Sequence, residues 1–183
     1  MGEWARTCLR WSGLLVGGLV LVGTLFSPAA AEVQLLPGAA VELDQATVND
    51  VVATFRQADE SLRAGDADGL MALYSEQYNY HGLKKADMRR VWLDLFEEFQ
   101  ELSDVHRFSR LVKVGSGSNT IIEATCTGSL SGLSKTGGLR VPIDSWYEEV
   151  HYMTFEQGRW RIRGNVGDSP RIMPFGTSPH PLF

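Results

Sequence analysis

The sequence predicts an α+β fold, in which helices come first and an antiparallel sheet follows. Apolar residues recur at helical spacing up to about Leu102, and beyond that point they alternate with polar residues. Glycine-containing turns separate the alternating segments, as is typical of strands joined into hairpins. Helices followed by hairpins favour a structure whose helices cover one face of an antiparallel sheet.

Three helices are predicted in the first half of the chain. The first begins near Thr47, with Asp50 at capping-box spacing, and Gly65 can end it in the left-handed conformation. Asp66 is a suitable N-cap for a short second helix, and residues 78–82 then form a brief extended segment. The third helix carries a wide apolar stripe. The stripe consists of Met88, Val91, Trp92, Leu95, Phe96 and Phe99.

Four strands are predicted after the helices. They cover residues 105–114, 119–129, 140–156 and 160–163. Gln157 and Gly158 suit a two-residue hairpin turn, which would pair Phe155 with Trp160.

The N-terminus, residues 1–31, is predicted to be a signal peptide. A charged start precedes an uncharged apolar run at residues 14–26, and the small residues at 29–31 suit a signal peptidase. The run is short of the ~20 residues that cross a membrane. We therefore expect export to the periplasm or the medium, with no membrane attachment after cleavage. An uncleaved N-terminal membrane anchor is the alternative.

The remaining chain divides into three predicted parts. Residues 32–46 are expected to be a flexible leader, residues 47–166 the folded domain, and residues 167–183 a proline-rich extended tail. The full chain carries a net charge of −5, and loss of the signal peptide makes it more acidic. This charge excludes a broad basic surface for nucleic acid. Cys126 would be the only cysteine left, so no internal disulfide is expected.

Two stretches resemble the nuclear transport factor 2-like superfamily. Residues 63–74, RAGDADGLMALY, are similar to its helix–turn–helix entry, with the closer likeness to the SnoaL-like branch. Residues 152–162, YMTFEQGRWRI, are similar to its final hairpin. The resemblance implies a cone-shaped, cystatin-like fold, in which a curved antiparallel sheet wraps three N-terminal helices. It also implies a homodimer formed through the outer surface of the sheet.

The superfamily contains both enzymes and binding domains, so the fold does not give the function. Its ketosteroid isomerases provide a comparison. Their oxyanion tyrosine falls on Ala58 of this chain and their general base falls near Gly82, whereas only Asp144 matches their second acid. The sequence therefore disfavours that reaction.

The long strand before the hairpin provides candidate catalytic residues. Alternation places Tyr147, Glu149 and His151 on the inner face, together with Met153 and Phe155. Glu149 and His151 could act as an acid/base pair beside Tyr147. The alternative is a hydrogen-bonded or solvated pair with no catalytic role. A single bulge would exchange part of this face.

Further candidate ligand-binding residues come from the rim and the third helix. Tyr78, Tyr80 and His81 lie on the segment that forms the rim of the cone in the superfamily. Phenols there could donate hydrogen bonds to a carbonyl or oxyanion. The remaining candidate ligand-binding residues are Trp92, Asp144 and Tyr147. Aromatic residues at these spacings are equally consistent with core packing.

No metal site or cofactor is predicted. The four histidines show neither H-x-H nor H-x-x-x-H spacing, and phosphate-binding glycine loops are absent. The leading hypothesis is an exported domain that binds a small apolar molecule in the cone or mediates assembly. The alternative is a cofactor-independent SnoaL-like enzyme that uses Glu149 or His151 as the acid/base and Tyr78 or Tyr80 as hydrogen-bond donor. A third hypothesis is a structural dimer with a filled cone.

Overall fold

A computed structural model describes residues 32–80 and 82–164. The predicted signal peptide, the predicted tail from residue 167 and His81 lie outside these residues. The helices are α1 (Gln45–Ala64), α2 (Ala67–Met71) and α3 (Lys85–Glu98). The strands are β1 (Glu32–Glu42), β2 (Tyr74–Tyr80), β3 (Leu83–Lys84), β4 (Phe99–Val114), β5 (Ile121–Ser134), β6 (Arg140–Glu156) and β7 (Arg159–Gly164).

One curved, unclosed sheet contains all seven strands, in the order β1-β4-β5-β6-β7-β2-β3. β1 runs parallel to β4 and β2 runs parallel to β7, whereas the other neighbours are antiparallel. The helices pack on its inner face, and α1 lies against β4. The predicted α+β class is confirmed. Within residues 32–80 and 82–164, no helix is both long and apolar enough to cross a membrane.

The helix boundaries follow from capping side chains. α1 begins at Gln45, two residues before the predicted start, because Asp44 Oδ1 accepts a hydrogen bond from Thr47 N at 2.9 Å. Gly65 ends the helix with a φ of 65°, the left-handed conformation that the sequence predicts. Asp66 caps α2 by accepting from Gly69 N at 2.9 Å.

The predicted flexible leader is wrong for most of its length, because β1 occupies residues 32–42. Its pairing with β4 runs from Glu32 opposite Val105 to Glu42 opposite Val112. The register is interrupted after Leu35, around Pro37 and Gly38. Proline lacks the amide hydrogen for a sheet bond, so it is tolerated in an edge strand at an interruption of this kind.

The β6–β7 hairpin has the predicted register, with Phe155 opposite Trp160 and Met153 opposite Ile162. Gln157 and Gly158 have φ values of 52° and 80°. Positive φ at both turn residues is the conformation of the tightest hairpin turns, and it explains the glycine.

Two bulges bend the centre of the sheet. Ser109 is the extra residue on β4, and on β6 the two residues Tyr147 and Glu148 lie opposite the single residue Thr127 of β5. Glu148 has a φ of 50°, and its Oε2 accepts a hydrogen bond from Ser109 Oγ at 3.0 Å. The two bulges therefore meet across β5 and curve the sheet around α1.

Candidate functional site

The β6 bulge changes which side chains point inward. After the bulge, Glu149 and His151 lie on the inner face as predicted, because Glu149 is opposite the buried Cys126. Before the bulge the alternation is reversed, so Trp146 is buried and Tyr147 is 83% exposed. The expected inward position of Tyr147 is therefore wrong, and Trp146 takes its place.

The other predicted ligand-binding residues differ in burial. Tyr78, Tyr80 and Trp92 are buried in the core, and Asp144 is half-buried opposite Leu130. Trp92 Nε1 donates to Tyr74 Oη at 2.9 Å, so this aromatic group fills the interior between α3 and β2. Burial raises the pKa of Tyr78 well above its usual value. Trp92 therefore serves as packing in this part of the cone.

Two of the predicted site residues, Glu149 and Tyr80, are in direct contact. Tyr80 Oη donates a hydrogen bond to Glu149 Oε1 at 2.9 Å. His151 lies deeper, with its ring centroid 5.6 Å from that of Phe55 and 6.2 Å from that of Trp146. Glu149 and His151 thus share a face, but they have different surroundings.

A cluster of buried polar side chains lies where β4, β5 and β6 meet α1. We call Asp59, Asp104, His106, Cys126 and His151 the inner polar cluster. His106 bonds in two directions: its Nε2 is 3.1 Å from Asp104 Oδ2, and its Nδ1 is 3.5 Å from Cys126 Sγ. Asp59 is paired with Arg63 on α1 at 2.8 Å.

Burial controls the protonation of this cluster. It raises the pKa of Asp104 to about 7, and it raises the pKa of the Cys126 thiol to about 12. Burial also raises the pKa of Asp59, and the Asp104 carboxylate adds to the effect while Arg63 opposes it. Two neighbouring carboxyl groups in such surroundings share a proton more readily than they carry two charges.

Trp146 covers the cluster because a glycine leaves room for its ring. Its Nε1 donates to Cys126 Sγ at 3.4 Å, and its ring centroid is 5.0 Å from that of His106. A Cβ atom at Gly128 would lie 2.5 Å from the indole and 2.0 Å from the carbonyl oxygen of Val105. A larger residue at position 128 would therefore prevent the Trp146 ring from packing over the cluster.

Spacing along the sequence does not reveal this cluster, because its histidines and cysteine lie on three different strands. The one local signal is Asp104-x-His106, a pair of polar residues at the inward positions of an otherwise apolar strand face.

Two surface clefts lie beside these elements. The β2–α3 cleft has a volume of about 530 Å³. It is lined by Met71, Glu76, Tyr78, Lys84, Lys85, Ala86 and Arg89. The β1–α1 cleft, of about 420 Å³, reaches Asp59 of the inner polar cluster. It is lined by Glu32, Val33, Gln34, Arg56, Asp59 and Glu60.

Comparisons with known proteins identify the fold. No family model and no curated protein matches the sequence. A conserved protein from Planctomyces limnophilus DSM 3776 matches in structure with a TM-score of 0.56 and 10% identity, over 66% of this chain and 94% of the other. A nuclear transport factor 2-like superfamily protein from Salmonella enterica serovar Typhimurium LT2 gives a TM-score of 0.53 and 10% identity, over 72% and 98%.

A third similar structure is a protein proposed to be a scytalone dehydratase, from Novosphingobium aromaticivorans DSM 12444. It has a TM-score of 0.50 and 10% identity, over 72% of this chain and 94% of the other. The chain has the nuclear transport factor 2-like fold, as the resemblance in its sequence implied.

Proposed function

We propose that the protein binds a small, largely apolar molecule with an anionic group, and that it does so in the β2–α3 cleft. The observation that carries the proposal is the combination of an apolar floor with a cationic rim. Met71 and Tyr78 provide the floor, and Lys84, Lys85 and Arg89 provide the rim. A volume of about 530 Å³ is in the range of small-molecule sites.

The charges of the cleft favour an anion. Glu76 is its only carboxylate among the lining residues, against three cations. Lys85 Nζ lies 2.7 Å from Glu76 Oε1, but this carboxylate is 71% exposed, and exposed pairs of this kind contribute little. A ligand anion could therefore replace it. The first residues of α3 also line the cleft, so the positive end of the helix dipole adds to the attraction.

The surroundings of the predicted acid/base residues favour binding over catalysis. Glu149 is engaged by the Tyr80 hydroxyl, and His151 is packed against aromatic rings in the interior. The sequence predicts an apolar ligand inside the cone. We propose instead that the ligand binds in the adjacent β2–α3 cleft, where Tyr78 forms part of the floor.

Decanoate is a suitable probe, with decanol as its uncharged counterpart. Calorimetric titration should give tighter binding of decanoate. The double variant Lys84→Gln, Arg89→Gln should weaken decanoate binding about 5–30-fold, since each exposed charge contributes about 0.5–1 kcal/mol. Lys113→Gln, a charge change on β4 outside the cleft, is the matched control. Equal affinity for decanol, or an equal effect of Lys113→Gln, would overturn the proposal.

Export is a further part of the proposal. Cleavage after Ala31 would leave β1 whole, because this strand begins at Glu32. The mass of the protein recovered from the periplasm or medium of an expressing cell tests this, and a retained N-terminus in the membrane fraction would instead support the uncleaved anchor.

We also propose a homodimer formed through the outer surface of the sheet. The outward Tyr147, exposed beside the β6 bulge, is an aromatic group suited to such a contact. Light scattering should give twice the mass of the chain, and Tyr147→Lys should lower it toward the mass of one chain. A single-chain mass for the unmodified protein at about 100 µM would contradict this.

A further inference from the structure

We propose that His106, Cys126 and His151 form a binding site for a thiophilic metal ion, Zn²⁺ or Cu⁺. One ligand atom from each residue can be chosen so that all three lie within 4.8 Å of one another. The three side chains come from the neighbouring strands β4, β5 and β6, and all are buried. The site is independent of the β2–α3 cleft.

The separation of two of these atoms already fits a metal site. Zinc bonds of about 2.3 Å to sulfur and 2.0–2.1 Å to nitrogen, at a tetrahedral angle, place the two ligands about 3.5 Å apart. Cys126 Sγ and His106 Nδ1 are 3.5 Å apart. The third ligand atom, from His151, lies within 4.8 Å of the other two, so binding requires it to approach by at most about 1.5 Å.

Residues around the ligands hold them in the required form. When the His106 proton is on Nε2, that nitrogen donates to Asp104 Oδ2 at 3.1 Å, and the Nδ1 lone pair faces Cys126 Sγ at 3.5 Å. A carboxylate behind a histidine ligand is the usual outer partner in metal sites. Trp146 Nε1 donates to Cys126 Sγ at 3.4 Å, as donors commonly do to metal-bound thiolates.

A different chemistry for the same residues is a Cys–His–Asp nucleophile. That reaction requires a substrate carbonyl to reach Cys126 Sγ. However, Asp104, His106 and Cys126 are all 0% exposed and Trp146 lies against the sulfur, so the site has no room for a substrate. A metal ion needs only the space between the three ligand atoms.

The donor set selects the class of ion. A thiolate with two imidazoles suits zinc and copper, whereas magnesium and calcium prefer oxygen ligands. On binding, the metal–sulfur bond replaces the sulfur–hydrogen bond, and one proton is released to solvent. The β1–α1 cleft reaches Asp59, which is the least buried member of the inner polar cluster.

The test uses the purified protein after removal of metal with a chelator. Titration with Zn²⁺ against a chromophoric chelator, and with Cu⁺ against bicinchoninate, should each give one ion per chain and show which binds more tightly. The melting temperature should rise by about 5–10 °C at a hundredfold excess over Kd. Cys126→Ala and His151→Gln should each weaken binding at least 100-fold, while Lys113→Gln, an exposed position on β4 outside the cluster, should leave it unchanged.

Cobalt provides a readout on the unmodified chain, which does not depend on whether a variant folds. Co²⁺ bound by Cys126 should give an intense sulfur-to-metal charge-transfer band in the near ultraviolet. Fewer than about 0.2 ions per chain, a cobalt spectrum without that band, or equal binding by the folded Cys126→Ala variant would overturn the proposal. A Trp146→Phe variant should bind about 10-fold more weakly, since it loses only the donor to sulfur.

Discussion

Gly128 is the position at which a single methyl group should disturb the inner polar cluster most. An added Cβ would lie 2.0 Å from the Val105 carbonyl oxygen and 2.5 Å from the Trp146 ring. The ring could move, but the carbonyl belongs to the paired strand β4, so the backbone must shift. Overpacking of a closed core costs about 1–3 kcal/mol, and a clash with backbone belongs at the upper end.

Gly128→Ala should therefore lower the free energy of unfolding by about 3 kcal/mol, and the melting temperature by about 6–12 °C. Urea denaturation followed by circular dichroism measures the first quantity. Gly137→Ala is the matched control, because its Cβ would meet nothing closer than 3.5 Å and its backbone is not in the left-handed region.

Replacement of the indole separates the two clashes. Trp146→Leu in the Gly128→Ala background should recover only part of the loss, since the contact with the Val105 carbonyl remains. A cost below about 0.5 kcal/mol for Gly128→Ala, equal to that of Gly137→Ala, would refute the inward placement of Trp146 at the bulge.

Three further predictions concern the helix cap, the rim and the first strand. Asp44→Ala should lower the free energy of unfolding by about 1 kcal/mol in urea denaturation, and Asp50→Ala should lower it less, because Asp44 caps α1. A larger loss for Asp50→Ala would instead support a helix that begins near Thr47, as the sequence predicts. Tyr80→Phe and Glu149→Gln should show a coupling energy of about 1 kcal/mol in a double-mutant cycle, and additive effects would contradict their hydrogen bond. A chain that begins at residue 43 should unfold at a lower temperature than one that begins at residue 32, because it lacks β1; equal melting temperatures would favour the flexible leader.

Much of the fold could be predicted because local signals determine it. The glycine of the β6–β7 turn sets the register of that hairpin, and the change from helical to alternating spacing separates helices from sheet. The first strand escaped prediction because Pro37 and Gly38 are typical of a loop, whereas here they lie at an interruption in an edge strand.

The candidate site was less predictable because it depends on bulges. The alternating pattern of β6 does not show that a bulge lies at Tyr147 and Glu148. This bulge places Tyr147 on the outer face and Trp146 on the inner face. The inner polar cluster is assembled across three strands whose register the bulges set. Spacing between histidines within one segment does not report such an arrangement.

X-ray absorption at the zinc edge of the metal-loaded protein tests the assembly of His106, Cys126 and His151 most directly. The geometry predicts a first shell with one sulfur at about 2.3 Å and two imidazole nitrogens at about 2.0–2.1 Å. A shell of oxygen and nitrogen ligands alone, without sulfur, would contradict it.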